Sequence, residues 1–263
     1  MRELFKKILI TGSTGSIGRE FPKSIGKLTV RMEESEIQML MKIRRAKILP
    51  KIIIHLAGMV ATNDCEKNPK KTYRVNVDGA VKLMRAGKLS GVKEFIYIST
   101  SHVYRGVKSY SAKINISFPK KPNSVYGKTK FIAEKKLREL SKNPGYPKLT
   151  IVRVFSVNSS LSRKGFLTHN LRVRKENMDY SPIPGLKIAR DFLTAKEISK
   201  KIIMIAGACN KKEIYLVCSG KATTVEELAY RILEIDKKKI QLKEKPSTVP
   251  SNWNSLVGYP TII

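Results

Sequence analysis

Two groups of residues in this 263-residue chain have types and spacings that could do chemistry. The first is Tyr126-Gly-Lys-Thr-Lys130. A phenol and an ammonium four positions apart on a helix face the same way, one turn from each other. The ammonium favours the phenolate, so Lys130 is expected to lower the pKa of Tyr126 toward working pH and fit it for proton transfer. Thr100 stands upstream, where its hydroxyl can hydrogen-bond a substrate oxygen. Tyr104 and Lys108 repeat the Y-x-x-x-K spacing, but Tyr104 follows directly from a strand, among turn residues, and lacks the helical setting the chemistry needs.

The second group is TGSTGSIG, in which Gly12, Gly15 and Gly18 alternate with Thr14, Ser16 and Ile17 directly after the apolar run KILIT. A glycine-rich turn between a strand and a helix lets the backbone approach a pyrophosphate and aim N–H groups at its charge. The expected ligand is therefore NAD or NADP. Pro22 limits the following helix to a short one, because proline disrupts a helix interior. Where the second strand ends, an acid would hold the adenosine ribose of NAD. The chain instead reads Val30-Arg31-Met32, and Arg31 leans the expectation toward NADP.

The elements that must position these groups follow from the alternation of apolar runs with helical patterns. Strands are predicted at 7–11, 28–31, 52–57, 95–100, 148–155 and 214–217. Helices are predicted at 33–45, from the Asn68-Pro69 start to about 89, and from a Ser124 cap to about 141. Thr194 with Glu197, and Thr224 with Glu227, match capping boxes that open two further helices. This order predicts an α/β protein, a Rossmann-type doubly wound parallel sheet. Residues 1–155 would form its dinucleotide-binding domain, and 156–263 a small substrate-binding lobe interleaved with the sheet.

Composition narrows the class. No apolar run approaches a membrane span, and the apolar start stops at once in Thr-Gly, so a cytoplasmic protein is expected. Cys65, Cys209 and Cys218 have no metal-like spacing and read as small buried hydrophobes; no metal site is expected. The net charge of +31 invites a nucleic-acid reading. The basic pairs are scattered along the whole chain without interleaved aromatics, and solvated lysines are the simpler account.

TGSTGSIG, HLAG at 55–58, NVDGA at 76–80, ISTSHVY at 98–104 and YGKTK at 126–130 together resemble the extended short-chain dehydrogenases/reductases of the NAD-dependent epimerase/dehydratase group. The likeness continues through VRVFS at 152–156, RDFLTAKEIS at 190–199 and YLVCSGKATTVEELA at 215–229. DCEKNPKKTYRVNVDGA is similar to dTDP-dehydrorhamnose reductases, while RDF and VCSGKATTVEEL are similar to GDP-keto-deoxymannose reductases. The resemblance implies Thr100, Tyr126 and Lys130 as the catalytic trio. It implies Leu56, Ala57, Gly58 and Asn76 lining the cofactor, and Phe155 beside the nicotinamide. Ser101, His102 and Ser156 would meet the substrate, and Arg190 its nucleotide diphosphate. Dehydratases of the group carry Asp-Glu after the threonine; Ser101-His102 stands there instead, so dehydration is not expected. The implied function is hydride transfer at C4 of a nucleotide-linked sugar by a homodimer. The competing reading is a non-catalytic protein of the same fold that binds RNA or another polyanion.

Overall fold

Each strongly apolar run becomes a strand with both faces covered. The computed structural model describes residues 2–31, 33–46, 49–104, 106–107, 112–162, 164, 166–245 and 255–261. After α1 (Arg2–Phe5) come β1 (Ile8–Thr11), a single 3-10 turn at Gly18–Glu20, β2 (Gly26–Leu28), α2 (Glu36–Arg44) and β3 (Ile52–His55). Then follow α3 (Thr62–Lys67), α4 (Pro69–Tyr73), a π-helical turn at Arg74–Asp78, α5 (Gly79–Leu89), β4 (Glu94–Thr100), α6 (Val125–Ser141) and β5 (Lys148–Val154). The remainder comprises β6 (Ser156–Asn158), α7 (Leu167–Glu176), β7 (Ile183–Pro184), β8 (Ala189–Arg190), β9 (Phe192–Thr194) and α8 (Ala195–Gly207). Last come β10 (Ile214–Val217), β11 (Thr223–Thr224), α9 (Val225–Leu233), β12 (Glu244–Lys245) and β13 (Ser255–Leu256).

The main sheet is parallel throughout, in the order β10-β5-β4-β3-β1-β2. This is a Rossmann-like α/β fold. Alternate residues point to opposite faces. Ile8, Ile10, Ile54, Ile96 and Val152 pack with Ile198, Ile202 and Ile205 of α8. Leu9, Ile53, Phe95, Tyr97 and Ile151 pack with Met39 of α2, Leu83 of α5 and Leu137 of α6. The chain runs from β1 to β2 on one side, then to β3 on the other side of β1. This reversal opens a crevice at the carboxyl ends of β1 and β3, where Thr11 and His55 are in register.

β10 is contributed by the second half of the chain and hydrogen-bonds to β5, so the sheet extends past residue 155. A separate apolar cluster joins Leu171 of α7, Ile183 of β7 and Leu228 of α9. Both capping boxes expected there are present, at Thr194 with Glu197 and at Thr224 with Glu227.

Several expectations are corrected. The first crossover holds one 3-10 turn and no α-helix. Phe21 precedes Pro22 and is extended (φ −75°, ψ 144°), as a residue before proline tends to be. β2 ends at Leu28, so Arg31 lies beyond the strand, and Met32 lies outside the described residues. The helix expected from 69 to 89 is interrupted by the π-helical turn, and α3 was not anticipated. Cys65 and Cys218 are buried, but Cys209 is exposed.

Tyr104 has a structural place. It is buried, and its hydroxyl accepts a hydrogen bond from Arg153 Nη1. Lys108 lies outside the described residues. Arg153 of β5 is 1% exposed and makes a two-pronged pair with Glu134 of α6, which is 0% exposed: Nε to Oε1 at 3.0 Å and Nη2 to Oε2 at 2.6 Å. Ser99 of β4 donates to the same carboxylate. Removing one member of a buried pair strands the other charge, typically at a cost of about 3–5 kcal/mol. Glu134→Leu should lower the unfolding free energy read from urea titrations by that order, and adding Arg153→Met should restore most of it. A single variant within about 1 kcal/mol of the parent would show that the pair does not anchor α6.

Candidate active site

The site is built where α6 meets the end of β4. Ser124 caps α6 by accepting the Gly127 N–H at 3.0 Å, and the Glu66 carboxylate takes the Val125 N–H at 2.7 Å. The backbone after β4 folds into a 3-10 turn, Ser101–Val103. This turn packs so closely on α6 that a Cβ on Gly127 would stand 2.4 Å from the His102 carbonyl oxygen. The glycine inside Tyr126-Gly-Lys therefore has a structural task that spacing alone did not reveal. It lets the His102 turn touch the helix that carries Tyr126.

Thr100, His102 and Tyr126 come together as a result. The Thr100 hydroxyl accepts the His102 N–H at 3.2 Å and also hydrogen-bonds the Tyr126 side chain. The rings of His102 and Tyr126 meet edge to face at 5.6 Å. Burial pushes the Tyr126 phenol up to about 12, against the opposing pull of the Thr100 hydrogen bond. This corrects the expectation that Lys130 draws the phenol toward neutrality, because desolvation outweighs any such influence. Lys130 itself is 2% exposed, with Nζ 4.3 Å from the centroid of the Tyr97 ring. Burial pushes it down to about 7, and Glu134 opposes the shift.

Arg190 lies on β8, near enough to His102 for its charge to act on the imidazole. Burial lowers its pKa to about 10, and among the described residues no carboxylate lies in ion-pair contact with it. Burial, and then the charge of Arg190, push His102 down to about 4, leaving a neutral imidazole at ordinary pH. Asp191, next in the chain, is 0% exposed and engaged elsewhere. Its carboxylate accepts Ser219 N–H (2.6 Å), Ser219 Oγ–H (2.8 Å), Gly220 N–H (2.8 Å) and Gly258 N–H (3.3 Å). Its carbonyl accepts the Ser156 N–H at 2.9 Å. Asp191 thus ties Arg190 and Ser156 to the loops beside them. Sequence reasoning met it only within the RDF likeness.

The glycine loop lies against the 56–57 backbone. Gly12 has φ +72°, and a Cβ there would stand 2.7 Å from Ala57 N and 2.9 Å from the Leu56 carbonyl carbon. A Cβ on Gly18 would meet Gly12 O at 2.2 Å, whereas one on Gly15 meets only Gly12 O, at 3.3 Å. Gly12 and Gly18 are therefore needed by the loop itself, and Gly15 leaves its outer face open, as a cradle for a diphosphate requires. Ser16 Oγ donates to Leu161 O and Arg19 to Thr14 O, while Ile17 packs against the core. A Cβ on Gly58 would stand 2.9 Å from Asn76 Oδ1. Asn76 accepts the Met59 N–H and donates to Met59 O and to Thr129, so it holds the loop after β3 rather than facing a ligand.

Other residues lie less favourably. Phe155, expected beside the nicotinamide, is 6% exposed in a cluster with Tyr104, Leu216 and Cys218, because Gly258 packs directly on its ring. Ser101 is buried, whereas Arg31 is exposed. His55 shares a hydrogen bond with Thr11 Oγ1 at 2.7 Å, and burial and Lys130 push it down to about 3. His169 Nδ1 is hydrogen-bonded to Ser162 O. Among the described residues no cluster of three or more His, Cys, Asp or Glu could hold a metal ion.

With this geometry in place, the comparisons with known proteins become informative. A family model described as the RmlD substrate binding domain matches residues 6–235. The chain belongs to that family. The finding agrees with the short-chain dehydrogenase/reductase likeness read from the motifs. A GDP-6-deoxy-D-mannose reductase from Pseudomonas aeruginosa is 22% identical over 206 residues, covering 76% of this chain and 67% of that protein. The matched stretch makes up 25% to 67% of the first curated relatives' own lengths. Among solved structures, RMD from Pseudomonas aeruginosa complexed with NADPH aligns with a TM-score of 0.76 at 18% identity, over 97% of this chain and 90% of that one. The Thermus thermophilus UDP-glucose 4-epimerase complex with NAD aligns with a TM-score of 0.79 at 18% identity, over 96% and 90%. These structures share the fold. No helix among the described residues is long and apolar enough to cross a membrane.

The glycines separate two kinds of variant. Gly15→Val should fold with a melting temperature close to the parent's and lose dinucleotide binding. Gly12→Ala should lose about 1–2 kcal/mol or more, because an L-residue is forced left-handed against backbone. Thermal melts and titrations of both variants test this. Unchanged cofactor affinity in Gly15→Val would remove the loop assignment.

Proposed function

We propose that this protein is an NAD(P)-dependent reductase or epimerase acting at C4 of a nucleotide-linked sugar. The observation that carries the reading is the meeting of Thr100, His102 and a protonated Tyr126 beside the half-buried cation Arg190. The Arg190 guanidinium is half-buried, donates to Ala189 O at 2.8 Å and has no carboxylate partner among the described residues, and a diphosphate is an anion suited to it. The printed ligands of two structural relatives, NADPH and NAD, support a nicotinamide dinucleotide as the second ligand.

The nicotinamide, when bound, supplies or accepts a hydride. The Gly12–Gly18 loop would hold the pyrophosphate, beside Leu56 and Ala57. Tyr126 keeps its proton at neutral pH and gives it to the keto oxygen in the reductive direction. Thr100 orients that oxygen, and His102 and Ser156 border the sugar. Arg190 would take the sugar's diphosphate. Lys130 as an ammonium would hold ribose hydroxyls. Near the end of β2, Glu34 is already paired with Lys42, and Arg31 is exposed. That pattern suits the extra phosphate of NADP better than the hydroxyls of NAD.

Titrations with NADPH and NADH between pH 6 and 9 examine both cofactor assignments. NADPH should bind tighter. With Lys130 pushed down to about 7, its ammonium is present below that pH and lost as pH rises through it. Affinity should therefore weaken above about pH 7 in the parent and stay flat in Lys130→Met. Equal or tighter NADH binding would reduce Arg31 to a surface residue, and a flat parent profile would remove Lys130 from the ribose.

Tyr126→Phe should keep fold and cofactor affinity while turnover on a nucleotide sugar falls about 10²–10⁴-fold. Tyr104→Phe should keep kcat but lose about 1–3 kcal/mol of stability, since it leaves a buried Arg153 N–H without its partner. Full turnover in Tyr126→Phe would overturn the mechanism. NAD retained through purification would mark an epimerase, and dependence on added NADPH a reductase.

A further inference from the structure

Lys130 is buried, and among the described residues it donates no hydrogen bond and makes no ion pair. The acid one turn beyond it, Glu134, is already committed: Arg153 takes both of its oxygens and Ser99 shares one. What meets the ammonium directly is a ring. Phe95, Tyr97 and Ser99 lie on the face of β4 that α6 covers, because alternate strand residues point the same way. Ser99 therefore reaches Glu134, and Tyr97 reaches Lys130, whose Nζ stands 4.3 Å from the ring centroid.

The other titratable groups around Lys130 carry no negative charge. His55 of β3 is near enough for the Lys130 charge to act on it; burial, and then that charge, push its imidazole down to about 3, so it is neutral at working pH. Its ring centroid is 5.9 Å from that of Tyr97, with the planes 24° apart. Tyr126, one turn before Lys130, keeps its proton. Tyr97 is fully buried, its hydroxyl donates to Asn76 O only at 3.5 Å, and burial pushes its phenol further up. It offers Lys130 no phenolate. What it offers is the electron-rich face of its ring, an attraction that strengthens where water is excluded.

We propose that Tyr97 is a positioning residue for Lys130: the face of its ring holds Nζ in place and favours the ammonium over the amine. A carboxylate in that place would occupy the ammonium's N–H groups, whereas a ring leaves all three for a ligand. The consequence for the cofactor rests on the ribose role proposed for Lys130; the contact itself does not. Tyr97 acts only through the lysine.

The test reads Lys130 directly, by carbon NMR of the full chain labelled at lysine Cε, whose shift follows protonation of the neighbouring nitrogen. The resonance missing from Lys130→Met belongs to Lys130. Position 97 is varied as Tyr97→Leu, as Tyr97→Phe, and with mono-, di- and trifluorinated phenylalanines. Fluorine withdraws electron density from the ring face with little change of shape. The Lys130 midpoint should stay close to the parent's in Tyr97→Phe and fall stepwise with each fluorine. In Tyr97→Leu it should fall by about one pH unit, the size of a desolvated cation–π contact. Thermal melts establish that each variant folds, and the fluorinated series opens no cavity should Tyr97→Leu fail to do so. A midpoint unchanged along the fluorinated series would overturn the proposal. So would a midpoint that rises in Tyr97→Leu, the result expected if Tyr97 only excluded water. NADPH titrations of the same variants above about pH 7 separate the two readings. Affinity that falls with the midpoint supports both. A midpoint that falls while affinity is unchanged supports the Tyr97 contact and removes Lys130 from the ribose.

Discussion

Glu134 sits one turn beyond Lys130 on α6, and both side chains are driven into the interior by the same helix face. The carboxylate can be there only because Arg153 of β5 and Ser99 of β4 meet it. That junction joins α6 to two neighbouring strands. α6 carries Tyr126 and Lys130, β4 ends in Thr100, and Arg153 reaches on to Tyr104 in the segment beyond the His102 turn. The relative placement of every group in the proposed trio thus follows from one buried charge pair. Packing alone would let a helix slide on a sheet by small steps. A two-pronged carboxylate–guanidinium contact has a single geometry and fixes its position.

The same junction bears on the charge of Lys130. Glu134 is satisfied by Arg153 and Ser99 and offers Lys130 only partial compensation, so desolvation dominates and the ammonium is left near neutrality. Tyr126 is likewise governed by burial and stays protonated. His102 is neutral because a buried imidazole beside Arg190 cannot readily take a second charge. Among the described residues neither Lys130 nor Arg190 has a carboxylate in ion-pair contact.

How much of this was legible in the sequence depends on the range of the interaction. β3 and β10 were readable because a short apolar run with both faces covered has few other destinations. The caps at Thr194 and Thr224 were readable because a capping box closes within four residues. Tyr126 and Lys130 were readable as one turn of helix, and the glycine trio as a strand-to-turn junction. Arg153 was not, because a charged residue within a strand pattern gives no sign of its partner, and Glu134 lies 19 positions away. Tyr104 and Asp191 were missed for the same reason: their partners are brought by tertiary structure. The first crossover was half-read. Pro22 gave warning of a short helix, but not that Gly18 would lie against the Gly12 carbonyl and leave a single 3-10 turn.

That crossover changes how a diphosphate would be held. A full helix brings an aligned dipole to an anion at its N-terminus, and a single turn brings little more than its own N–H groups. Here the loop must rely on close backbone approach, which Gly15 leaves open, and on the surrounding field. The net charge is strongly positive, and in the proposed site Lys130 and Arg190 would add their own charges to it. A chain carrying +31 attracts anionic ligands from a distance. The weak helix dipole and the excess of basic residues are thus compatible parts of one arrangement. Charge spread through the molecule can supply what the shortened crossover does not.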